Sequence, residues 1–241
     1  ALVPWFAGIS VRTGVLGEQR WGLINDRIQL DKKSLPRFVE RCIALAFEGK
    51  TNDDVPHPAM QADADNQQHL IHKFALNVAR PVALLPGAEY GPAKRWPIEY
   101  YAALAQQLSA QGRAVWVLGS AKETNLGEAI TAQAPLAQNL IGKTSLTDAL
   151  DLLALTQHAV GNDSGLMHLA AAAGTQVVAL YGATPPAYAP PLTHKKTVLY
   201  LGVPCSPCGQ RVCPLQGEQH HQCLRGIGVE QVMRAVSPNI P

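Results

Sequence analysis

GNDSGLMHLAAAAG, residues 161–174, stands between two apolar runs of the chain, residues 152–160 and 176–182. This order predicts a strand, a tight turn, a helix and a second strand. Asn162, Asp163 and Ser164 are residue types that cap the first free N–H groups of a helix. Leucine and alanine then recur at helical spacing, and Gly174 stands where a left-handed cap ends a helix.

The turn of this stretch has the chemistry of a binding site. A helix N-terminus with Ser164 and Gly165 at its mouth can bind a phosphate through free N–H groups, and Gly165 has no Cβ to obstruct the ligand. The Asp163 carboxylate would repel a bare phosphate but can accept hydrogen bonds from sugar hydroxyls. The turn therefore suits a sugar joined to a phosphate. The alternative is an ordinary helix that Asp163 caps.

The surrounding chain predicts an α/β fold. Apolar strands alternate with helices, which indicates a parallel sheet covered on both faces. The predicted strands are residues 82–85, 114–118, 139–142 and 176–181, and the predicted helices are residues 98–111, 123–134, 146–157 and 229–236. Ligands bind outside the carboxyl ends of such strands, so the strand ends that contain glycine should form one site.

A second motif, PGAEYGPAKRWP at residues 86–97, follows the first of these strands. Its glycines and prolines predict a loop that brings Lys94 to the edge of the sheet. A fixed lysine there can neutralise a diphosphate leaving group. A surface turn with two solvated bases is the alternative.

The first sixty-six residues follow a different pattern. We predict a short strand at residues 9–11 and an amphipathic helix at residues 35–47, with Phe38, Cys42, Leu45 and Ala46 on one side. Residues 48–68 are rich in Pro, Asp, Asn and Gln, which favours a domain boundary. The Asp63-Ala64-Asp65 pattern that some metal-dependent sugar transferases use lies in this connector, and we interpret it as solvated linker. The expected domains are residues 1–66 and 67–241.

Composition excludes several classes of protein. A net charge of +2 gives no nucleic-acid footprint, and no apolar run reaches membrane-spanning length. The first residues are apolar but lack the basic region of a signal peptide.

The two motifs in this order resemble the bacterial ADP-heptose:lipopolysaccharide heptosyltransferases of glycosyltransferase family 9, and the first string is most similar to the heptosyltransferase II branch. The resemblance implies a GT-B enzyme, in which two Rossmann-like domains face a cleft and the C-terminal one holds the nucleotide sugar. It implies transfer of L-glycero-D-manno-heptose from ADP-heptose to the inner-core heptose of lipopolysaccharide, with inversion and without an obligatory cofactor or metal. It also implies a cytoplasmic protein, peripheral to the inner membrane.

The resemblance assigns roles to matched positions. Lys94 corresponds to the lysine that binds the diphosphate, with Glu89 and Tyr90 beside it. Asp163 corresponds to the aspartate that holds heptose hydroxyls. The remaining donor-binding positions are Glu123 for the ribose, Ser164, Gly165 and Leu166 for the phosphates, and His168 near the same group. Lys94, Asp163 and His168 are the candidate catalytic residues, although an Ala-rich helix could also hold His168 as a core residue.

One part of the family pattern is absent. The family opens with a strand–loop–helix segment that supplies the proposed general base, and residues 1–66 match only the later part of that domain. We therefore name no base and expect this chain alone to bind the donor without transferring heptose. A different GT-B enzyme, such as one that uses a UDP-sugar, and a non-catalytic nucleotide- or zinc-binding module remain alternatives.

The C-terminal region carries four of the five cysteines. Cys205, Cys208, Cys213 and Cys223 could form a structural zinc site, with His220 and His221 nearby, but the spacing after the first pair is irregular. We favour a packed, reduced, thiol-rich loop and assign no metal. Because phosphate binding needs no thiol, we expect the cysteine cluster to be dispensable for donor binding.

Overall fold

The computed structural model describes residues 1–237 except Leu16, Glu18, Lys32 and residues 47–54. The chain divides into two compact units. The first unit comprises Ala1–Pro56 with Ala187–Pro190, and the second comprises His57–Pro186 with Pro191–Pro241.

The described residues of the first unit form four short elements: α1 (Leu2–Phe6), β1 (Thr13–Gly14), β2 (Asp26–Arg27) and α2 (Phe38–Ala46). The two strands pair in parallel, with Thr13 opposite Asp26. The strand predicted at residues 9–11 is wrong because a side chain binds the backbone there. The Asn25 amide donates to the Ser10 carbonyl at 2.7 Å and accepts from the Arg12 N–H at 2.8 Å.

The helix predicted at residues 35–47 is confirmed as α2, which begins three residues later; Phe47 lies outside the described residues. Its predicted apolar side is not buried, since Phe38 is 53% exposed and Leu45 38% exposed. Trp5 and Phe6 in α1 are 48% and 76% exposed. This unit therefore carries several aromatic side chains outside any core.

The second unit is built on a six-stranded sheet in which every pairing is parallel. Its elements are α3 (Ala64–Phe74), β3 (Val82–Leu85), α4 (Ile98–Ala110), β4 (Val115–Val117), α5 (Thr124–Gln133), β5 (Gln138–Asn139), α6 (Leu146–Leu155), β6 (His158–Asn162), α7 (Gly165–Ala172), β7 (Gln176–Leu180), β8 (Lys196–Leu199), α8 (Gln222–Arg225) and α9 (Val229–Val236). The strand order is β5-β4-β3-β6-β7-β8. The predicted α/β class is confirmed.

Alternation along the strands divides the core into two layers, because successive side chains of a strand point to opposite faces. Val82 and Leu84 pack in the layer that includes α4, α5 and α9. Ala83 and Leu85 pack in the layer that includes α3, α6 and α7. Both faces of the sheet are thus covered, as the continuous apolar strands predict. Among the helices of the described residues, none has the length and apolar character that crossing a bilayer requires.

Asp63 and Asp65 are exposed, as predicted, but they begin a helix and do not belong to a linker. Asp63 caps α3, because its carboxylate accepts from the N–H groups of Asp65 and Asn66 at 2.9 and 3.2 Å. The Asp63 N–H itself donates to the Asp151 carboxylate at 2.8 Å. The pattern therefore begins a helix that packs against α6.

The apolar run at residues 152–160 does not form one strand. Its first part completes α6, the helix turns at Thr156, and β6 begins at His158. A short apolar run cannot by itself distinguish a buried helix from a strand. Ser145 caps α6: its hydroxyl accepts from the Asp148 N–H at 3.1 Å, and the Asp148 carboxylate accepts in return from the Ser145 N–H at 3.0 Å.

The strand order locates a ligand crevice. After β3 the chain builds β4 and β5 on one side of it, and β6, β7 and β8 extend the sheet on the other. A parallel sheet opens at such a switch point, outside the carboxyl ends of the two strands that flank it. Leu85 of β3 pairs with Gly161 of β6, so the two sequence motifs leave the sheet side by side.

Candidate functional site

Asn162 joins the two motifs. Its side chain is fully buried, and its amide nitrogen donates to the Pro86 carbonyl at 2.8 Å. Its amide oxygen accepts from the backbone N–H of Trp96 at 2.9 Å and from the Tyr101 hydroxyl at 3.2 Å. Asn162 thus fixes the loop of residues 86–97 at both ends instead of capping a helix. We call these residues the Lys94 loop.

Asp163 contacts the middle of that loop. Its Oδ2 accepts from Lys94 Nζ at 2.6 Å and from the Thr184 hydroxyl at 2.7 Å. The side chains of Lys94 and Asp163 are only 14% and 11% exposed, so the ion pair is largely shielded from solvent. The alternative in which Asp163 caps the helix is wrong. The N-cap of α7 is Ser164, and no side-chain hydrogen bond caps this helix.

Thr184 was missed by the sequence analysis. It lies four residues beyond the end of β7, at the same edge of the sheet as the two motifs. That position was the only available signal, because a single threonine after a strand has no distinctive pattern.

His168 lies one turn into α7, with Nε2 3.9 Å from Asp163 Oδ1. Burial lowers the pKa of His168, and Lys94 lowers it further, although the Asp163 charge acts in the opposite direction. The imidazole is therefore neutral at neutral pH and faces the ion pair as a hydrogen-bonding group rather than a cation.

Tyr90 lies between two cations. Lys94 Nζ is 5.1 Å from the centre of its ring, and the Arg211 guanidinium carbon is 5.2 Å from the same centre. The Tyr90 hydroxyl donates to the Gly209 carbonyl at 2.9 Å. Arg211 was also missed by the sequence analysis, because 117 residues separate it from Lys94 along the chain.

A cavity of about 340 Å³ opens at the N-terminus of α7, beside the ion pair. Five of the predicted donor-binding residues line it: Glu89, Glu123, Ser164, Gly165 and Leu166. Lining residues that were not predicted as contacts come from the ends of β3 and β4 and the start of α6: Leu85, Gly87, Ala88, Gly119, Ser120, Thr144, Ser145, Leu146 and Ala149. The predicted residues therefore form two adjacent groups, one in the cavity and one around the ion pair.

Glu123 is held rigidly in the cavity wall. Its Oε2 accepts from the N–H and the hydroxyl of Ser120 at 3.0 and 2.9 Å, and the residue is buried. A Cβ at Gly87 would collide with the same carboxylate, so this position needs glycine. At the rim, exposed Lys122 donates to Glu89 at 2.8 Å, and this hydrogen bond lowers the pKa of the Glu89 carboxyl.

The C-terminal cysteines lie apart from this cavity, but their segment touches the Lys94 loop. The Ala93 N–H donates to the Arg211 carbonyl at 3.0 Å. Cys223 is buried in the core, and burial, followed by the neighbouring thiols, raises its pKa to about 11. The segment therefore supports the predicted site, a contact that the sequence analysis did not anticipate.

Comparison with known proteins identifies the relatives of this chain. The family model described as glycosyltransferase family 9 (heptosyltransferase) matches residues 1–218. Lipopolysaccharide heptosyltransferase 2 of Escherichia coli K12 is 45% identical over 214 residues, which are 83% of this chain and 62% of the relative. Lipooligosaccharide heptosyltransferase 2 of Haemophilus influenzae is 44% identical over 216 residues, with the same coverage of 83% and 62%.

A solved structure, that of E. coli ADP-heptose lps heptosyltransferase II, matches with a TM-score of 0.84 and 41% identity. The match covers 98% of this chain and 72% of the solved chain, and it confirms the predicted GT-B fold class. The chain spans about 62% of the length of the curated relatives named above.

Proposed function

Because the chain belongs to glycosyltransferase family 9, we propose that its second unit binds ADP-heptose and serves the transfer of L-glycero-D-manno-heptose to the inner-core heptose of lipopolysaccharide. Transfer inverts the anomeric carbon: the acceptor oxygen forms the new bond as the bond to ADP breaks. No metal or other cofactor is required in this proposal. The second unit, His57–Pro186 with Pro191–Pro241, is proposed as the donor side and the first unit as part of the acceptor side, because the boundary predicted between residues 66 and 67 would divide α3.

The observation that carries this proposal is the shielded Lys94–Asp163 ion pair at the mouth of α7. A carboxylate at a helix N-terminus is usually explained as a cap. Here it is held instead by Lys94 and Thr184, on the edge of a cavity at the switch point of the sheet. The pair thus presents one cation and one hydrogen-bond acceptor to the same ligand.

Lys94 is proposed to bind the diphosphate. As the nucleotide enters, Lys94 Nζ exchanges the Asp163 carboxylate for diphosphate oxygens, while Ser164, Gly165 and Leu166 offer backbone N–H groups at the positive end of the helix dipole. These groups, already in position, would then stabilise the negative charge that develops on the departing ADP. A cation–π contact with the Tyr90 ring would keep the Lys94 ammonium group near the phosphates.

Asp163 is proposed to hold the heptose. Once Lys94 turns to the phosphates, the carboxylate can accept from heptose hydroxyls, while the Thr184 hydroxyl continues to orient it. The neutral imidazole of His168 can donate to or accept from the same sugar. Glu123, with Glu89 at the rim, is proposed to bind the ribose hydroxyls inside the cavity.

We place the protein in the cytoplasm, in peripheral contact with the inner membrane, where the lipopolysaccharide acceptor is assembled. Fractionation of cells that express the chain would test this. Recovery mainly in the periplasm would contradict it.

Titration calorimetry tests the roles. Lys94→Ala should weaken binding of both ADP and ADP-heptose, because the diphosphate loses its cation. Asp163→Asn should weaken ADP-heptose but leave ADP bound at least as tightly as before, since Lys94 no longer has a competing carboxylate. Hydrogen bonds to charged groups are worth about 1.5–3 kcal/mol, or roughly ten- to a hundredfold in affinity.

Two exposed residues of α3 provide matched controls: Lys73→Ala and Asp65→Asn make the same chemical changes away from the cavity. Both should bind ADP as the parent does. Equal loss of ADP affinity in Lys94→Ala and Asp163→Asn would contradict the division of roles. Tighter binding of UDP-N-acetylglucosamine than of ADP-heptose would refute the proposed substrate.

A further inference from the structure

The four C-terminal cysteines converge on one small cavity. Cys205, Cys208, Cys213 and Cys223 all line a space of about 60 Å³, together with His221. All four are free thiols. One ligand atom from each of Cys213, His220 and His221 lies within 4.8 Å of the other two. Soft sulfur donors and imidazole nitrogens are thus gathered where residues 205–223 fold back on themselves.

The spacing of these atoms suits a metal ion. Zinc binds cysteine sulfur at about 2.3 Å and histidine nitrogen at about 2.0–2.1 Å, so tetrahedral ligands lie roughly 3.5–3.8 Å apart. The ligand atoms of Cys213, His220 and His221 lie within 4.8 Å of one another, so each pair needs to approach by at most about 1.3 Å to reach that geometry. The sulfur atoms of Cys205 and Cys208 are separated by two residues in sequence, which is the spacing of a chelating pair.

Backbone conformation and hydrogen bonds already orient the donors. His221 adopts a left-handed conformation, with φ of 54°, at the start of α8. This conformation is uncommon for a residue other than glycine. Its N–H donates to Cys213 Sγ at 3.4 Å, and the Gln222 amide donates to Cys205 Sγ at 3.4 Å. Such contacts orient sulfur ligands in metal sites.

We propose that residues 205–223 bind one thiophilic first-row transition metal ion, zinc by preference, through Cys205, Cys208, Cys213 and one imidazole of the His220–His221 pair. Three sulfurs and one nitrogen in tetrahedral arrangement form a structural zinc set. Cys223 is assigned to packing instead, because it is a buried member of the core next to Leu224. This assignment differs from a four-cysteine site by one ligand.

The ion would brace the Lys94 loop. Arg211 and Gly209 lie between the proposed ligands, and their carbonyls accept from the Ala93 N–H at 3.0 Å and from the Tyr90 hydroxyl at 2.9 Å. A metal ion that fixes residues 205–213 would therefore fix the surface on which this loop rests. The site is structural and does not enter the transfer reaction.

Metal content of the purified, untagged chain tests the proposal. Mass spectrometry of metals should find about one equivalent of zinc, or of another first-row ion, in protein prepared without chelators. Cobalt substitution should add the thiolate charge-transfer and tetrahedral d–d absorption of a sulfur-rich site. Cys213→Ser, and the double variant His220→Ala with His221→Ala, should each lose most of the metal.

Cys42→Ser is the matched control, because Cys42 is an exposed thiol in α2 of the first unit. Cys42→Ser should keep the full equivalent of bound metal, and so should Cys223→Ala. Fluorescence of the buried Trp96 and Trp116 shows whether each variant folds. If Cys213→Ser fails to fold, zinc titration of the chelator-treated parent decides instead, and one tight equivalent is expected.

Three results would overturn the proposal. One is a parent protein that holds no stoichiometric metal as purified and takes up none on reconstitution. Another is a folded Cys213→Ser variant with as much metal as Cys42→Ser. The third is retention of the metal by the double histidine variant, which would remove the imidazole from the ligand set.

Discussion

Replacing Asn162 by alanine should destabilise the second unit strongly, because this side chain satisfies polar groups that have no access to water. In Asn162→Ala, the backbone N–H of Trp96 and the Pro86 carbonyl lose their contacts to the Asn162 side chain, and the Gly87 carbonyl, at the cavity, loses a longer one at 3.3 Å. The Tyr101 hydroxyl keeps its bond to the Leu85 carbonyl at 3.3 Å. Each buried group left unsatisfied costs about 1–3 kcal/mol. The two together predict a loss of about 2–6 kcal/mol in the free energy of unfolding.

Urea unfolding followed by tryptophan fluorescence measures this loss directly. Trp96 and Trp116 are fully buried in the second unit, so their emission shifts when that unit opens. Asn77→Ala is the control, since Asn77 is exposed and accepts from the Ala79 N–H at 2.9 Å. Water can replace that bond, so a loss of about 0.5–1.5 kcal/mol at most is expected.

Asn162→Asp tests separately the hydrogen bonds that the Asn162 side chain accepts and those that it donates. An ionised carboxylate can still accept from Trp96 and Tyr101, but it faces the Pro86 carbonyl without a proton to donate. Burial raises the pKa of such a carboxyl in the folded state. The difference in the free energy of unfolding between Asn162→Asp and the parent should therefore become smaller as pH falls and larger as pH rises.

A loss below about 1 kcal/mol in the free energy of unfolding of Asn162→Ala would refute the reasoning, because it would mean that both unsatisfied groups find other partners.

Two further substitutions probe the site and the fold. Gly165→Ala should leave the melting temperature unchanged or slightly higher, since a Cβ there meets no atom within 4 Å. Calorimetry should nevertheless show about tenfold weaker ADP binding, because the Cβ would stand where we propose that the phosphates approach. Burial and then Arg113 lower the pKa of His158 from 6.5 to about 4, so between these pH values the unfolded chain binds a proton that the folded chain does not. Stability should therefore fall as pH drops from 6.5 towards 4, and melting curves of His158→Gln should show a shallower fall. Parallel pH profiles would exclude His158 as the cause.

Elements with a complete local pattern could be predicted from the sequence. The strand at residues 82–85 and the helix at residues 229–236 have the predicted bounds, because turn residues flank each of them. Gly174, with φ of 81°, follows the end of α7 as its sequence position indicates. The α/β class required no tertiary information, since alternating strands and helices constrain the sheet to be parallel.

Features that depend on distant partners could not be predicted. The sequence of α3 is polar, and its position follows from contacts with α6 that include Asp63 to Asp151. Strand β8 was missed because its residues, Lys196 to Leu199, are only partly buried at the edge of the sheet. In the site, the local pattern left Asp163 either as an acceptor for sugar hydroxyls or as a helix cap. Only the fold shows that Lys94 and Thr184 bind that carboxylate.

The position of Lys94 is determined by three contacts that sequence distance conceals. The Asn162 side chain binds both ends of the Lys94 loop, and the Asp163 carboxylate binds the Lys94 ammonium group. The Arg211 carbonyl accepts from the Ala93 N–H in the middle of the loop. In the proposed binding mode, the diphosphate takes Lys94 from Asp163. Only the second of these contacts would then be exchanged, and the other two would keep the loop in place. Because that geometry is preserved, the lysine can change partners without reordering the backbone, which limits the entropy that nucleotide binding must overcome. The C-terminal segment therefore supports the Lys94 loop through the Arg211 and Gly209 carbonyls, even though none of its cysteines lines the cavity at the N-terminus of α7.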